Sequence, residues 1–186
     1  MLYWKDIIPG PKAPSLVYGI VECPKGTQNK YEISKSTNIL ILDRMLHSSV
    51  IYPADYGFIP GTYASDDDPL DILILTAQAN IPKTLVECHP IGALIMKDEN
   101  GLDEKILAVS EHDPHYNVYK DIVQLPEHFL DEIQEFFRTY KALEESSYAD
   151  VKEWRGREAA YMIIKDAISE FNDRYPDSSK LDPFEK

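Results

Sequence analysis

The chain has 186 residues and carries 19 Lys and Arg against 32 Asp and Glu, a formal net charge of −13. That balance argues against nucleic acid or an anionic membrane as partner, because both demand a basic footprint, and it suits a protein that binds cations or one that is merely soluble. A 44% apolar and 11% aromatic share excludes a disordered chain and supplies a packed core, and the length suits a single domain over residues 1–186.

Residues 1–15 read as an N-terminal arm, punctuated by Pro9, Gly10, Pro11 and Pro14. Lys5 and Asp6 interrupt any apolar h-region, so no signal peptide is expected. From about 16 to 110 the chain is β-rich. Short Ile/Val/Leu runs at 16–21, 30–34, 39–42, 71–76, 91–96 and 105–109 are separated by turn chemistry at Pro24-Lys25-Gly26, Pro60-Gly61 and Asn100-Gly101. Close-spaced strands with connections too short for repeated βαβ units predict a closed barrel or a sandwich. From about 126 the period becomes helical: Phe129, Leu130, Ile133, Phe136, Phe137 and Tyr140 share one helix face. A second helix carries Ala159, Ala160, Ile163, Ile164, Ala167, Ile168 and Phe171 on one face, and residues 175–186 read as a loose tail. The fold class expected is mainly β (α+β), a barrel covered by two C-terminal helices. No apolar run approaches the ~18 residues of a membrane-spanning helix. Cys23 and Cys88 form neither a disulfide framework nor a CxxC pair, so a cytoplasmic location is expected.

The most informative segment is Ser65-Asp66-Asp67-Asp68-Pro69-Leu70-Asp71; an arbitrary Asp-rich run is more commonly a solvated loop, but here an apolar strand runs straight out of it and a second acidic group flanks another strand. Extended geometry would put Asp66 and Asp68 on one face and Asp71 on the other, but Pro69 breaks that register. A turn there would gather three carboxylates at one point. Carboxylates so close repel, and hard divalent cations, which prefer oxygen ligands, relieve the repulsion. A second acidic group, Asp98, Glu99, Asp103 and Glu104, follows another apolar strand and contains Lys105. An EF-hand started at Asp66 would need Gly at 71 and Glu at 77, where Asp71 and Ala77 stand. HExxH, Walker A, GxGxxG and GxSxG motifs are absent, and His112 and His115 lie in a polar loop. The residues by themselves reach a multi-metal phosphoryl hydrolase.

The run Asp66-Asp67-Asp68-Pro69-Leu70-Asp71 resembles the D-x-D-P-x-D signature of the family I soluble inorganic pyrophosphatases. The flanking pieces match in order: Glu22, Lys30-Tyr31-Glu32, Asp43-Arg44, Tyr52 to Pro60, Asp98-Glu99, Asp103-Glu104-Lys105, and Phe136 to Lys141. The resemblance spans about 16 to 145. It implies an OB-like barrel and Mg²⁺-dependent hydrolysis of pyrophosphate to two orthophosphates, with several ions per site. It further implies Asp66, Asp71 and Asp103 as principal ligands, Asp98 and Glu32 for ions arriving with substrate, and Glu22 at the edge through water. Asp68 would be the general base. Lys30, Arg44, Lys105, Tyr140 and Lys141 would bind the phosphoryl groups, and Tyr56 would hydrogen-bond near the nucleophile or a ligand. The resemblance also implies a homohexamer, a dimer of trimers, the common assembly of short chains of this type, although nothing in the sequence by itself fixes the oligomer. Two alternatives are a hydrolase of another phosphoanhydride, such as a nucleotide, and a non-catalytic divalent-cation binder. The first lacks a base-recognition device, and the second gains nothing from Lys30, Arg44, Lys105 and Lys141.

Overall fold

The computed structural model describes residues 1–99, 101–144, 149–178 and 180–185. Asn100 of the expected Asn100-Gly101 turn, and Ser179 and Lys186 of the tail, lie outside the described residues. The elements are α1 (Tyr3–Asp6), β1 (Val17–Cys23), β2 (Asn29–Ile33), β3 (Leu40–Met45), β4 (Asp55–Phe58), β5 (Asp71–Leu75), β6 (Leu85–Asp98) and β7 (Gly101–Ser110). A short 3-10 turn (Ile122–Gln124), α2 (Glu127–Thr139), β8 (Ala149–Gly156) and α3 (Arg157–Arg174) follow. Strands pair in the order β1-β4-β5-β7-β6, and β6 pairs back to β1, so five strands close a ring. Closure leaves no exposed edge within the ring. β8 adds to β6 on the outside, and β2–β3 is a separate hairpin. The 14-residue β6 serves three neighbours, and register shifts at Pro90/Gly92 and Ile95/Met96 let it bend between them.

The site is positioned by one parallel pair. β5 and β7 run in register from Asp71 opposite Lys105 to Leu75 opposite Val109. Leu73, Leu75, Leu107 and Val109 pack under Ile133, Phe136 and Phe137 of α2. Ile72, Ile74, Ile106 and Ala108 pack against Ala160, Ile164 and Ala167 of α3. Both faces are covered, which is why these strands read as unbroken apolar runs. Side chains alternate along a strand, so Asp71, Asp103 and Lys105 continue the α2-side row and place charge at its open end.

The structure corrects the sequence reading in several places. β4 and β8 were not among the expected strands, and β6 begins at Leu85 rather than Ile91. β4 is four residues long and contains Gly57, where a Cβ would stand 1.8 Å from the Ile20 carbonyl oxygen of β1. Glycine allows this close approach but erases the strand's apolar signature. β8 lies outside the ring and is charged and half-exposed, so it shows no apolar alternation. The tail is tied down, not loose: the Leu181 N–H donates to the Asp6 carbonyl (2.8 Å), Ile8 donates to Leu181 (3.0 Å), and the Tyr18 hydroxyl donates to Asp182 (2.7 Å). Asp55, fully buried, accepts from the Lys25 and Asn80 backbones, the Asn80 side chain and Thr76, and so anchors β4 just before Tyr56. Both cysteines are buried free thiols. Among the described residues no helix is long and apolar enough to cross a membrane.

Candidate active site

All thirteen side chains singled out from the sequence line one cavity of about 800 Å³. Its rear is the end of the β5–β7 row. There the Lys105 ammonium lies 2.6 Å from Asp71 Oδ2 and 2.7 Å from Asp103 Oδ1, with the rings of Phe137 and Tyr56 at 5.5 and 5.6 Å. The Tyr56 hydroxyl donates to the same Asp71 oxygen at 2.6 Å. Burial alone would depress the Lys105 ammonium, but the Asp71 and Asp103 charges outweigh it and hold the group above the ordinary lysine value. Burial, followed by the Asp71 charge, raises Asp66. Asp103 is raised by burial and by Asp71 despite the opposing Lys105. Burial and then Asp71 and Asp103 push Tyr56 well above its usual range.

The segment 65–69 is a turn, not an extended strand. Asp67 takes φ 67°, and the Asp68 N–H donates to Asp66 Oδ1 at 3.2 Å. The turn cancels the alternation expected for an extended run and brings Asp66, Asp68 and Asp71 to the same cavity. The β2–β3 hairpin supplies Lys30, paired with Glu32 and with Asp43 (3.1 Å), and Arg44. The Arg44 guanidinium makes a two-pronged contact with Glu144, at 2.9 and 2.8 Å, and also touches Asp43. Past the end of α2, Tyr140 stacks on Phe136 at 5.4 Å, and Lys141 lies 2.8 Å from Glu99 and 3.4 Å from Asp98.

Sequence reasoning missed Lys35, Glu144 and Trp4, which also line the cavity. Glu144 lies in the turn beyond α2 and meets Arg44 from 100 residues away, so it carries no local signal. Lys35 and Trp4 carry no local signal. His112 pairs with Glu87 at 2.7 Å on the surface, away from the cavity.

Glu22 accepts a hydrogen bond from the Ile33 N–H at 2.6 Å, yet burial pushes its carboxyl up to about 8. A carboxyl with a raised folded value holds its proton better folded than unfolded. Its stabilising effect is therefore full below about pH 4.5 and is lost as pH rises through about 8. The cation-free protein is expected to lose stability across that window, by at most about 1.4 kcal/mol per pH unit from this group. Glu22→Gln is expected to flatten the slope, and chemical denaturation at pH 5, 6.5 and 8 measures it. An unchanged slope in the variant would remove Glu22 as its source.

The cavity wall holds nine carboxylates and five Lys or Arg side chains, a formal excess of four negative charges. An anionic substrate would be repelled unless cations offset that excess. The donors are hard oxygens, so they fit Mg²⁺-like cations. Among the described residues no three His, Cys, Asp or Glu side chains are gathered into a coordination sphere; the Lys105 ammonium stands between Asp71 and Asp103, where a cation would neutralise them.

Known proteins resemble this chain in sequence and fold. The sequence profile described as inorganic pyrophosphatase matches residues 19–172. An inorganic pyrophosphatase of Haloferax volcanii is 43% identical over 175 residues, which are 94% of this chain and 97% of that one. A soluble inorganic pyrophosphatase of Chlamydomonas reinhardtii is 40% identical over 92% of this chain and 89% of its own length. The crystal structure of the inorganic pyrophosphatase from Thermus thermophilus superposes with a TM-score of 0.89 at 40% identity, covering 91% of this chain and 99% of that one. With a matching profile and a matching fold, the chain belongs to the inorganic pyrophosphatase family, enzymes that hydrolyse the phosphoanhydride bond of pyrophosphate.

Proposed function

We propose that the chain splits pyrophosphate by direct in-line attack of water, with Mg²⁺ as activating cation and Asp68 as general base. The observation that carries this reading is the convergence of thirteen residues, scattered from Glu22 to Lys141, on one cavity. Asp66, Asp71 and Asp103 would hold the principal ions with Asp71 shared, Asp98 and Glu32 the ions that accompany substrate, and Glu22 a position at the edge. Bound there, such ions neutralise phosphoryl oxygens and bring the pKa of a coordinated water from 15.7 toward ~7.

The chain's own groups do the rest. Asp68, exposed at the mouth beside Asp66, accepts the proton of the attacking water and passes it to bulk solvent. Arg44 offers a planar fork to phosphoryl oxygens, and Lys30, Lys105 and Lys141 act as point charges. Tyr140 donates its hydroxyl to the same oxygens, and Tyr56 keeps Asp71 oriented through its 2.6 Å hydrogen bond. No phosphoenzyme is needed.

The test is a phosphate-release assay comparing pyrophosphate with nucleoside triphosphates. Release is expected from pyrophosphate alone, falling to background with EDTA and returning with added Mg²⁺. Release that survives exhaustive chelation would end the cation requirement, and faster release from a nucleoside triphosphate would make the enzyme a hydrolase of another phosphoanhydride. The resemblance also supports a single cytoplasmic domain over 1–186, assembled as a homohexamer built as a dimer of trimers, with no nucleic-acid or membrane partner; sedimentation velocity checks the assembly.

A further inference from the structure

Lys35, in the turn of the β2–β3 hairpin, is not among the residues assigned above. Its ammonium contacts the turn that carries Asp68 twice, pairing with the Asp68 carboxylate and donating to the Asp67 carbonyl oxygen at 3.0 Å. Asp67 is the left-handed residue of that turn, and its own carboxylate accepts from the Tyr63 hydroxyl at 3.0 Å and faces Arg174 at 3.7 Å. The base turn is thus gripped from the hairpin on one side and from Tyr63 and the end of α3 on the other.

The hairpin turn is itself tethered by the N-terminal arm. The Trp4 indole N–H donates to the Lys35 carbonyl at 2.9 Å, the Tyr3 N–H donates to the Asn38 side chain at 3.0 Å, and that side chain donates to the Met1 carbonyl at 2.8 Å. Trp4 is wedged edge-on against Tyr175 at 5.3 Å and Phe171 at 6.2 Å, and its carbonyl accepts from Gly61 at 2.7 Å. A chain of contacts therefore runs from the arm through Lys35 to Asp68.

We propose that Lys35 is a positioning residue for Asp68, held in place by Trp4 of the arm. This rests on Asp68 being the general base. Both ends of the Lys35–Asp68 pair are about half exposed, at 48% and 54%, and an exposed pair contributes little to stability. What it supplies is orientation, and small misplacements of a catalytic group cost rate steeply.

Lys35→Met removes the charge and keeps the stem. It is expected to lower kcat by about tenfold with KM for magnesium pyrophosphate within about twofold, and to move the melting midpoint by less than about 3 °C. Lys35→Arg is expected to restore most of the rate, and Trp4→Phe, which loses the N–H together with part of the ring packed on Tyr175 and Phe171, to reproduce the loss of kcat more weakly. The decisive measurement is the double variant: in an Asp68→Asn background, Lys35→Met is expected to change kcat by less than about twofold. A raised KM at unchanged kcat would make Lys35 a substrate contact, and equal losses in both backgrounds would give it a role independent of Asp68; either result overturns the proposal. An unimpaired Asp68→Asn enzyme would instead overturn the general-base assignment beneath it.

Discussion

Asp68→Asn is expected to fold normally, to bind Mg²⁺ as the parent does, and to lose roughly 10²–10⁴ in kcat, the usual contribution of a positioned base. Asn preserves size and hydrogen-bonding capacity but cannot take a proton. The Asp68 side chain is exposed and is not part of the core, so its replacement removes no packing. The turn around it is held by backbone contacts, with the Ala64 N–H on the Asp68 carbonyl at 2.7 Å and the Asp68 N–H on Asp66 at 3.2 Å. Those contacts survive the change. Steady-state kinetics with calorimetric titration of Mg²⁺ separates the outcomes. A parental kcat removes Asp68 from the base role, while a loss of Mg²⁺ affinity equal to the loss of rate makes it a ligand instead.

The legibility of the site follows from where its constraints are local. Asp66 to Asp71 could be read because charge of one sign concentrated beside an apolar strand is costly without counter-charge. Lys105 stood out as a cation inside an acidic group, and the structure places it between Asp71 and Asp103. The long apolar periods of α2 and α3 and the doubly buried rows of β5 and β7 follow from periodicity. Other features depend on chain segments meeting from afar. Arg44 and Glu144 are 100 residues apart, and Lys35 reaches Asp67 across 32; neither pairing leaves a trace in neighbouring sequence. β4 is hidden by the glycine that lets it approach β1, and β8 by its polar edge. The arm and tail look unstructured because the order comes from each other, through Asp6, Ile8 and Leu181.

Lys105→Met is expected to be the most destabilising single change at the site, by about 3–5 kcal/mol at neutral pH without divalent cations, the usual cost of breaking a buried charge pair from one side. Lys105 is only 3% exposed, so water cannot replace it. Met fills much the same volume, and what is lost is the charge that Asp71 and Asp103 both use. In the parent, the ammonium is held above the ordinary lysine value of 10.5. Its stabilisation is therefore complete through neutral pH and fades only as pH rises through that higher folded value. The variant's deficit is expected to shrink as pH falls through the carboxylate range and protonation relieves the repulsion. Mg²⁺ held by these carboxylates would bind the folded state in preference to the unfolded one, and so would stabilise by mass action. With the competing ammonium gone, the same Mg²⁺ concentration is expected to raise the melting midpoint further in the variant than in the parent. Substrate binding is expected to stay impaired, because a cation on the carboxylates does not replace a lysine on the phosphoryl oxygens. A variant with the parental midpoint and an identical Mg²⁺ increment would mean that Lys105 does not neutralise this pair, and that divalent cations bind elsewhere than between Asp71 and Asp103.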